Sequence, residues 1–130
     1  MILAVGLGCQ RGCPVDALLD LFNAALAEGG IERQRITALA SLDRKQDEPG
    51  LLALAQALEL PLTFFSAAEL VPYEDRLSHK SETVFAHTGC YGIAESAALA
   101  LAEQLSRRPA TLLVTRQKTA QATFALACAG

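Results

Sequence analysis

Apolar and polar positions follow two periods along this chain, and the periods alternate. Met1-Ile-Leu-Ala-Val5 is a short apolar run that reads as a buried strand. It stops in Gly6, Gly8 and Gly12, and a helix opens behind Pro14. Val15, Leu18, Leu19, Phe22 and Leu26 fall on one face of that helix, which runs to about Glu28 and ends at Gly29-Gly30. Arg35-Ile-Thr-Ala-Leu-Ala40 reads as a second strand. Pro49 stands where a helix favours its first residue, and Leu51, Leu54, Ala55 and Leu58 give that helix a buried stripe before Pro61 stops it. Leu62-Thr-Phe-Phe65 is a short third strand, and Ser66-Ala-Ala-Glu69 has the spacing of a capping box.

From Val71 to Ser81 the pattern is polar and irregular and predicts a mobile loop. Thr83-Val-Phe-Ala86 reads as a short strand or an extended entry segment. Gly92 to Leu105 is an alanine-rich helix whose small face suits close packing on a sheet, closed by Arg107-Arg108-Pro109. Thr111–Val114 and Thr123–Cys128 are terminal strands, with too few residues between them for a helical crossover, so they should pair antiparallel. Alternating strands and helices predict one α/β domain spanning residues 1–130. It should be a three-layer α/β/α sandwich with a mainly parallel sheet of about five strands and an antiparallel C-terminal strand.

Composition narrows the function classes. Hydrophobic residues make up 52% and charged residues 19%, and no apolar run approaches the roughly 20 residues of a membrane span. No basic region followed by a long apolar stretch marks a signal peptide, so the expected compartment is the cytoplasm, where four cysteines need no disulfides. A net charge of −3 argues against nucleic acid. The charge is unevenly spread: residues 104–130 hold Arg107, Arg108, Arg116 and Lys118 and no acid. A basic region on an acidic protein suits a small polyanion as well as a solvated edge.

Three constellations carry candidate chemistry. In the first, a strand, a glycine-rich turn and a helix N-terminus make an anion site, with Arg11 adding a planar cation in the loop. The dinucleotide fingerprint does not fit, because its third glycine should stand at position 11 and no acid ends the second strand. The second, Asp43 to Gly50, follows the second strand at the carboxyl end of the sheet. There Lys45 can meet a carboxylate while Glu48 holds it in place. The third is His87-Thr-Gly89-Cys90-Tyr-Gly92-Ile-Ala-Glu95, a second glycine-led helix start. Glu95 suits the helix dipole there and could face a ligand as acceptor or general base. Cys9, Cys13, His87 and Cys90 match no common zinc spacing, so no metal is expected, and no cysteine–histidine pair marks a thiol nucleophile.

Six segments taken in order carry a resemblance. They are Val5-Gly-Leu-Gly-Cys-Gln-Arg-Gly12, Lys45-Gln-Asp-Glu-Pro-Gly-Leu-Leu52, Leu62-Thr-Phe-Phe-Ser66, Ser81-Glu-Thr-Val84, Gly92-Ile-Ala-Glu-Ser-Ala-Ala-Leu99 and Ala122-Thr-Phe-Ala-Leu-Ala127. Together they resemble the cobalamin-biosynthesis family formed by CobE and the C-terminal domain of CbiG, over nearly the whole chain. The resemblance implies a role in building the corrin ring of vitamin B12, on the aerobic route for a chain of this size. CbiG, with an additional N-terminal region, opens a lactone on a cobalt-precorrin. The family tends to carry a lysine after the penultimate strand, where this chain has Arg116, with Lys118 two residues on.

Precorrins are flat apolar macrocycles fringed with acetate and propionate. Arg11, Lys45, Arg116 or Lys118 and the backbones of Gly6, Gly8, Gly12, Gly89 and Gly92 could supply the cationic, N–H-rich rim that such a ligand needs. The leading expectation is a binder or carrier of a corrin intermediate, without a cofactor, acting alone or with other corrin-pathway enzymes. The alternative is a small hydrolase or lyase with Glu95 as general base and Lys45 polarising a carbonyl.

Overall fold

A computed structural model describes residues 1–78 and 92–130. The segment 83–86, together with His87, Gly89 and Cys90, lies outside the described residues. Five strands form one sheet: β1 (Ile2–Cys9), β2 (Ala38–Leu42), β3 (Leu62–Phe65), β4 (Ala110–Lys118) and β5 (Ala122–Ala129), in the spatial order β3-β2-β1-β5-β4. β1 pairs in parallel with β2, and β2 with β3; β5 is antiparallel to both β1 and β4. Four strands therefore run one way and β5 alone runs back, as the sequence pattern predicts.

Helices α1 (Val15–Gly29) and α2 (Pro49–Leu58) cover one face. Leu3, Val5 and Leu7 of β1 pack there with Leu18, Phe22, Leu51, Leu54 and Phe124, the two phenyl rings meeting edge to face at 5.9 Å. The short α3 (Ala67–Leu70) closes β3 with the expected capping box between Ser66 and Glu69. Helix α4 (Ile93–Ser106) covers the other face, on Ala4, Ala38, Ala40 and Ala127. Its small residues allow very close packing. A Cβ built on Gly6 would lie 1.8 Å from the carbonyl oxygen of Ala94 and 2.7 Å from the amide nitrogen of Ala98. No described helix is long and apolar enough to cross a membrane.

Four local expectations need correction. The first strand does not stop at Gly6: β1 runs on to Cys9, paired with β5 throughout, so Gly6 and Gly8 lie inside the strand and the turn begins at Gln10. The second strand begins at Ala38, not Arg35; Arg33–Arg35 form a 3₁₀ turn instead. Thr37 explains the shift. Its amide donates to Leu3 O at 2.8 Å and its hydroxyl accepts from the Leu3 amide at 3.1 Å, so regular pairing starts one residue later, at Ala4 opposite Ala38. The fourth strand extends to Lys118, leaving only residues 119–121 as the turn into β5. Finally, the described part of the supposed mobile loop contains a 3₁₀ helix, Val71–Arg76. Arg76 anchors it, donating to Glu103 Oε2 at 2.8 Å and to Ala110 O at 3.2 Å, with its guanidinium over the Tyr73 ring at 4.9 Å.

Candidate functional site at the carboxyl end of the sheet

β1, β2 and β4 run the same way, so the segments that follow them emerge at one end of the sheet. The helices after β1 and β2 cover one face and α4 covers the other. Chain crossovers thus diverge beside β1, the position where open α/β sheets bind ligands. Of the expected loop 6–13, residues 6–9 belong to β1; the remainder, 10–13, meets the segment 43–48 there through the Gly12–Glu48 bond, and of the third expected segment, 87–92, only Gly92 is described.

The loop after β1 is fastened on two sides. The Gln10 amide donates to Gln121 O in the β4–β5 turn at 2.8 Å, and the Gly12 amide donates to Glu48 Oε1 at 2.7 Å. The Cys13 amide closes the turn onto Gln10 O at 3.1 Å. Gly12 sits at φ +78° with open space around a built Cβ, so its backbone conformation rather than crowding favours glycine. Arg11 stands exposed between these two tethered residues.

Lys45 ends a 3₁₀ turn, Asp43–Lys45, directly after β2 and is half-buried. It lies near enough to Cys9 to act on the thiol electrostatically. Burial pushes the Cys9 thiol up to about 11, with Lys45 pulling it down and Glu48 and Cys13 pushing it further up. Burial, then Glu48, also raises Cys13. Both cysteines are therefore protonated thiols at neutral pH and poor nucleophiles. The expected hold of Glu48 on Lys45 is not what the structure shows. Glu48 turns its buried carboxylate to Gly12, and no ion pair joins it to Lys45. Among the described residues no group of three or more potential ligands gathers for a metal.

On the α4 face, Lys118 pairs with Thr123, which pairs in turn with Gly8. Lys118 thus stands two strand spacings, about 10 Å, from the end of β1. Arg116 precedes it next to an irregularity between Val114 and Gln117, half-buried, while Lys118 is exposed. The amide of Arg116 donates to Glu95 Oε2 at 2.9 Å. Glu95 is fully buried in the first turn of α4; its other described partners are the Ser78 amide, 2.8 Å from Oε1, and the Ser78 hydroxyl, which bonds Oε2. In this arrangement Glu95 ties Ser78 and β4 to α4.

The glycines divide between two jobs. Gly6 is buried beneath α4, so helix packing and not a ligand occupies its free side; its expected place in the ligand rim is corrected on that ground. Gly8 is buried against the Thr123 hydroxyl, and Gly92 caps α4 in a left-handed conformation at φ 47°. Gly12 alone of the described set lies in the exposed loop.

A cleft of about 320 Å³ opens beside this loop, between the starts of α1 and α2, bounded by Gly12, Pro14, Val15, Glu48, Pro49 and Ala53. A second, of about 370 Å³, lies between α3 and α4 and is lined by Phe65, Glu69, Tyr73, Ala100, Glu103 and Gln104, none of them an expected site residue. There the Arg76 hydrogen bond, followed by that from the Ala110 amide, outweighs burial and lowers the Glu103 carboxyl below its usual range. The sequence carries no signal for this cluster, because its members are spread over about forty positions. Ser41, whose buried hydroxyl donates to Leu7 O at 2.7 Å, was equally silent.

The chain matches the family described as cobalamin synthesis G C-terminus over residues 3–127. It is 43% identical over 125 residues to protein CobE of a Sinorhizobium species, covering 96% of this chain and 79% of that protein. It is also 31% identical over 126 residues to cobalt-precorrin-5A hydrolase of Priestia megaterium. That match covers 97% of this chain but only 32% of the hydrolase. Among solved structures, the fold is similar to the crystal structure of CobE, a protein from the cobalamin (vitamin B12) biosynthetic pathway. The TM-score is 0.93 at 44% identity, covering 97% of this chain and 89% of that one. The cobalamin biosynthesis protein chiG from Agrobacterium tumefaciens gives a TM-score of 0.77 at 26% identity, with 99% of each chain covered.

Proposed function

This chain belongs to the cobalamin synthesis G C-terminal family, which makes it a cobalamin-biosynthesis protein, and we propose that it binds a carboxylate-fringed corrin intermediate at the carboxyl end of its sheet. The observation that carries this reading is that Arg11, Lys45 and Lys118 stand at or just beyond the carboxyl ends of β1, β2 and β4, three strands that run in one direction. Arg11 and Lys118 are exposed and Lys45 is half-buried, and no ion pair ties any of them to a described residue. Cations so disposed suit acetate and propionate groups around a flat ring. The Gly12 loop contributes backbone, and Arg116 stands beside Lys118 as a further cation. Gly8 and Gly92 border the same end of the sheet but are buried, so in this reading they shape the strand end and the start of α4 around the site; Gly89 belongs to the segment outside the described residues. The intermediate would be received from one corrin-pathway enzyme and released to another.

A visible-absorbance titration with hydrogenobyrinic acid tests this. Wild-type protein should shift the ligand spectrum, and more weakly as salt rises, because part of the attraction is screened. A charge-assisted contact is worth about 1.5–3 kcal/mol, so Arg11→Ala and Lys45→Ala should each weaken binding roughly 10-fold or more. Arg33→Ala, on the exposed turn before β2, should leave it unchanged. No spectral shift, or an equal loss in Arg33→Ala, refutes the site.

A second reading is hydrolysis of a precorrin, favoured by the relative named as a cobalt-precorrin-5A hydrolase. Glu95 would be the base and Lys45 the group polarising the carbonyl. Two observations weigh against it: the match covers a third of that enzyme, and both Glu95 oxygens already accept hydrogen bonds in a fully buried position. Incubating the purified chain with a lactone-bearing precorrin separates the readings, since turnover without any partner supports the enzyme.

A further inference from the structure

Glu48 stands at the N-terminal border of α2, where a side chain ordinarily caps its own helix, yet its carboxylate makes no such cap. It is 8% exposed although Asp47 and Pro49 on either side are exposed. Its oxygen instead reaches across 36 positions of sequence to the amide of Gly12 at 2.7 Å. The first turn of α2 is pressed onto the same loop, for a Cβ built on Gly50 would lie 2.2 Å from the carbonyl oxygen of Cys13. This proximity lets a short side chain bridge the two segments.

We propose that Glu48 is a positioning residue that holds Arg11 in place for an anionic ligand by fixing the amide of Gly12, a role that rests on the ligand reading above. Arg11 is flanked by Gln10, tied to Gln121, and by Gly12, tied to Glu48. Gly12 at φ +78° has no side chain and no crowding to keep its conformation, so the bond to Glu48 restrains its amide directly, beside the turn bond from the Cys13 amide to Gln10 O. A negative group in direct contact with a carboxylate-fringed ligand would repel it. Turned to Gly12, the same carboxylate works for binding, because a guanidinium held in place loses less freedom when the ligand arrives.

The test compares Glu48→Ala, Glu48→Gln, Arg11→Ala and the double variant Arg11→Ala/Glu48→Ala. In ligand-free protein, amide hydrogen exchange at Gly12 should speed up roughly tenfold or more in Glu48→Ala. It should stay within about threefold of wild type in Glu48→Gln, whose amide oxygen still accepts. If Glu48→Ala does not fold, Glu48→Asp, one methylene too short for the reach, replaces it. In titrations with hydrogenobyrinic acid, Glu48→Ala should weaken binding several-fold and Glu48→Gln should restore it. In the Arg11→Ala background, Glu48→Ala should have little further effect, because residues acting through one another are not additive. Unchanged Gly12 exchange, additive losses, or tighter binding by Glu48→Gln would each overturn the proposal. If wild-type protein does not bind the corrin at all, the functional reading fails, and Gly12 exchange alone then decides whether Glu48 holds the loop.

Discussion

Gly6→Ala should be among the most damaging single-methyl additions in this protein. The new Cβ would sit 1.8 Å from Ala94 O, 2.7 Å from Ala98 N and 2.8 Å from Ala94 C, where ordinary contact begins near 3.4 Å. All three are backbone atoms of α4, so no rotamer change relieves the clash. The helix must retreat from the sheet by roughly the missing 1.6 Å. A gap of 0.5–1 Å already forfeits about a quarter to a half of each dispersion contact, so such a shift loosens the layer built on Ala97, Ala98 and Leu101. Overpacking usually costs about 1–3 kcal/mol, and with rigid backbone as the obstacle the upper end or more is expected, about 3–5 kcal/mol. Gly12→Ala is the control. It meets nothing within 4 Å and carries only the left-handed backbone penalty, about 1–2 kcal/mol. Urea unfolding followed by circular dichroism gives both values through the midpoint at constant slope. If Gly6→Ala costs no more than Gly12→Ala, α4 does not pack on the sheet as described.

Three further outcomes follow from buried and half-buried groups. Glu95→Ala should destabilise by about 2–4 kcal/mol, since it strands the Ser78 and Arg116 amide donors, and Glu95→Gln should recover only part of this; a fully stable Glu95→Gln in urea unfolding would show that the carboxylate is not a structural tie. Cys9, with its thiol near 11, should react with iodoacetamide far more slowly at pH 8 than a free thiol, and Lys45→Ala should slow it further by removing the charge that favours thiolate; rates measured from pH 7 to 10 check both. Glu103 titrates below its ordinary value of 4.5 in the folded chain, so it contributes stability above that value and loses it as pH falls through the lowered one. Because the pair with Arg76 is partly exposed, the contribution is about 1 kcal/mol or less, and Arg76→Ala should flatten this acid limb of the stability–pH curve.

Much of the fold was legible because its signals are local. A five-residue apolar run, Pro14 and Pro49 at helix starts, Gly29-Gly30 at a helix end and the Ser66–Glu69 spacing each act within a few residues; the helices stand where those signals put them, while β1 runs past its apolar run through Gly6 and Gly8 to Cys9. The short separation of the last two strands was enough to reverse one of them. Strand limits were not legible where pairing rather than composition sets them. β2 begins at Ala38 because Thr37 bonds to Leu3, and β4 runs to Lys118 because β5 offers it partners that far.

At the candidate site, the sequence by itself singled out Arg11 and Lys45 as candidate rim cations and placed both at the carboxyl end of the sheet. That inference needs only the direction of β1 and β2, which a helical crossover fixes. Lys118 joins them because β5 reverses between β1 and β4, returning β4 to the common direction. What each acid and glycine does was decided only by tertiary structure. Glu48 could equally have held Lys45, and Glu95 could equally have faced a ligand. A carboxylate takes whichever donors the packed backbone brings within reach, and here those are the amides of Gly12, Ser78 and Arg116. Gly6 and Gly12 look alike in the chain, yet one lies under a helix and the other in an open loop. Local pattern sets where the chain turns; only the packing of distant segments sets what stands opposite the turn.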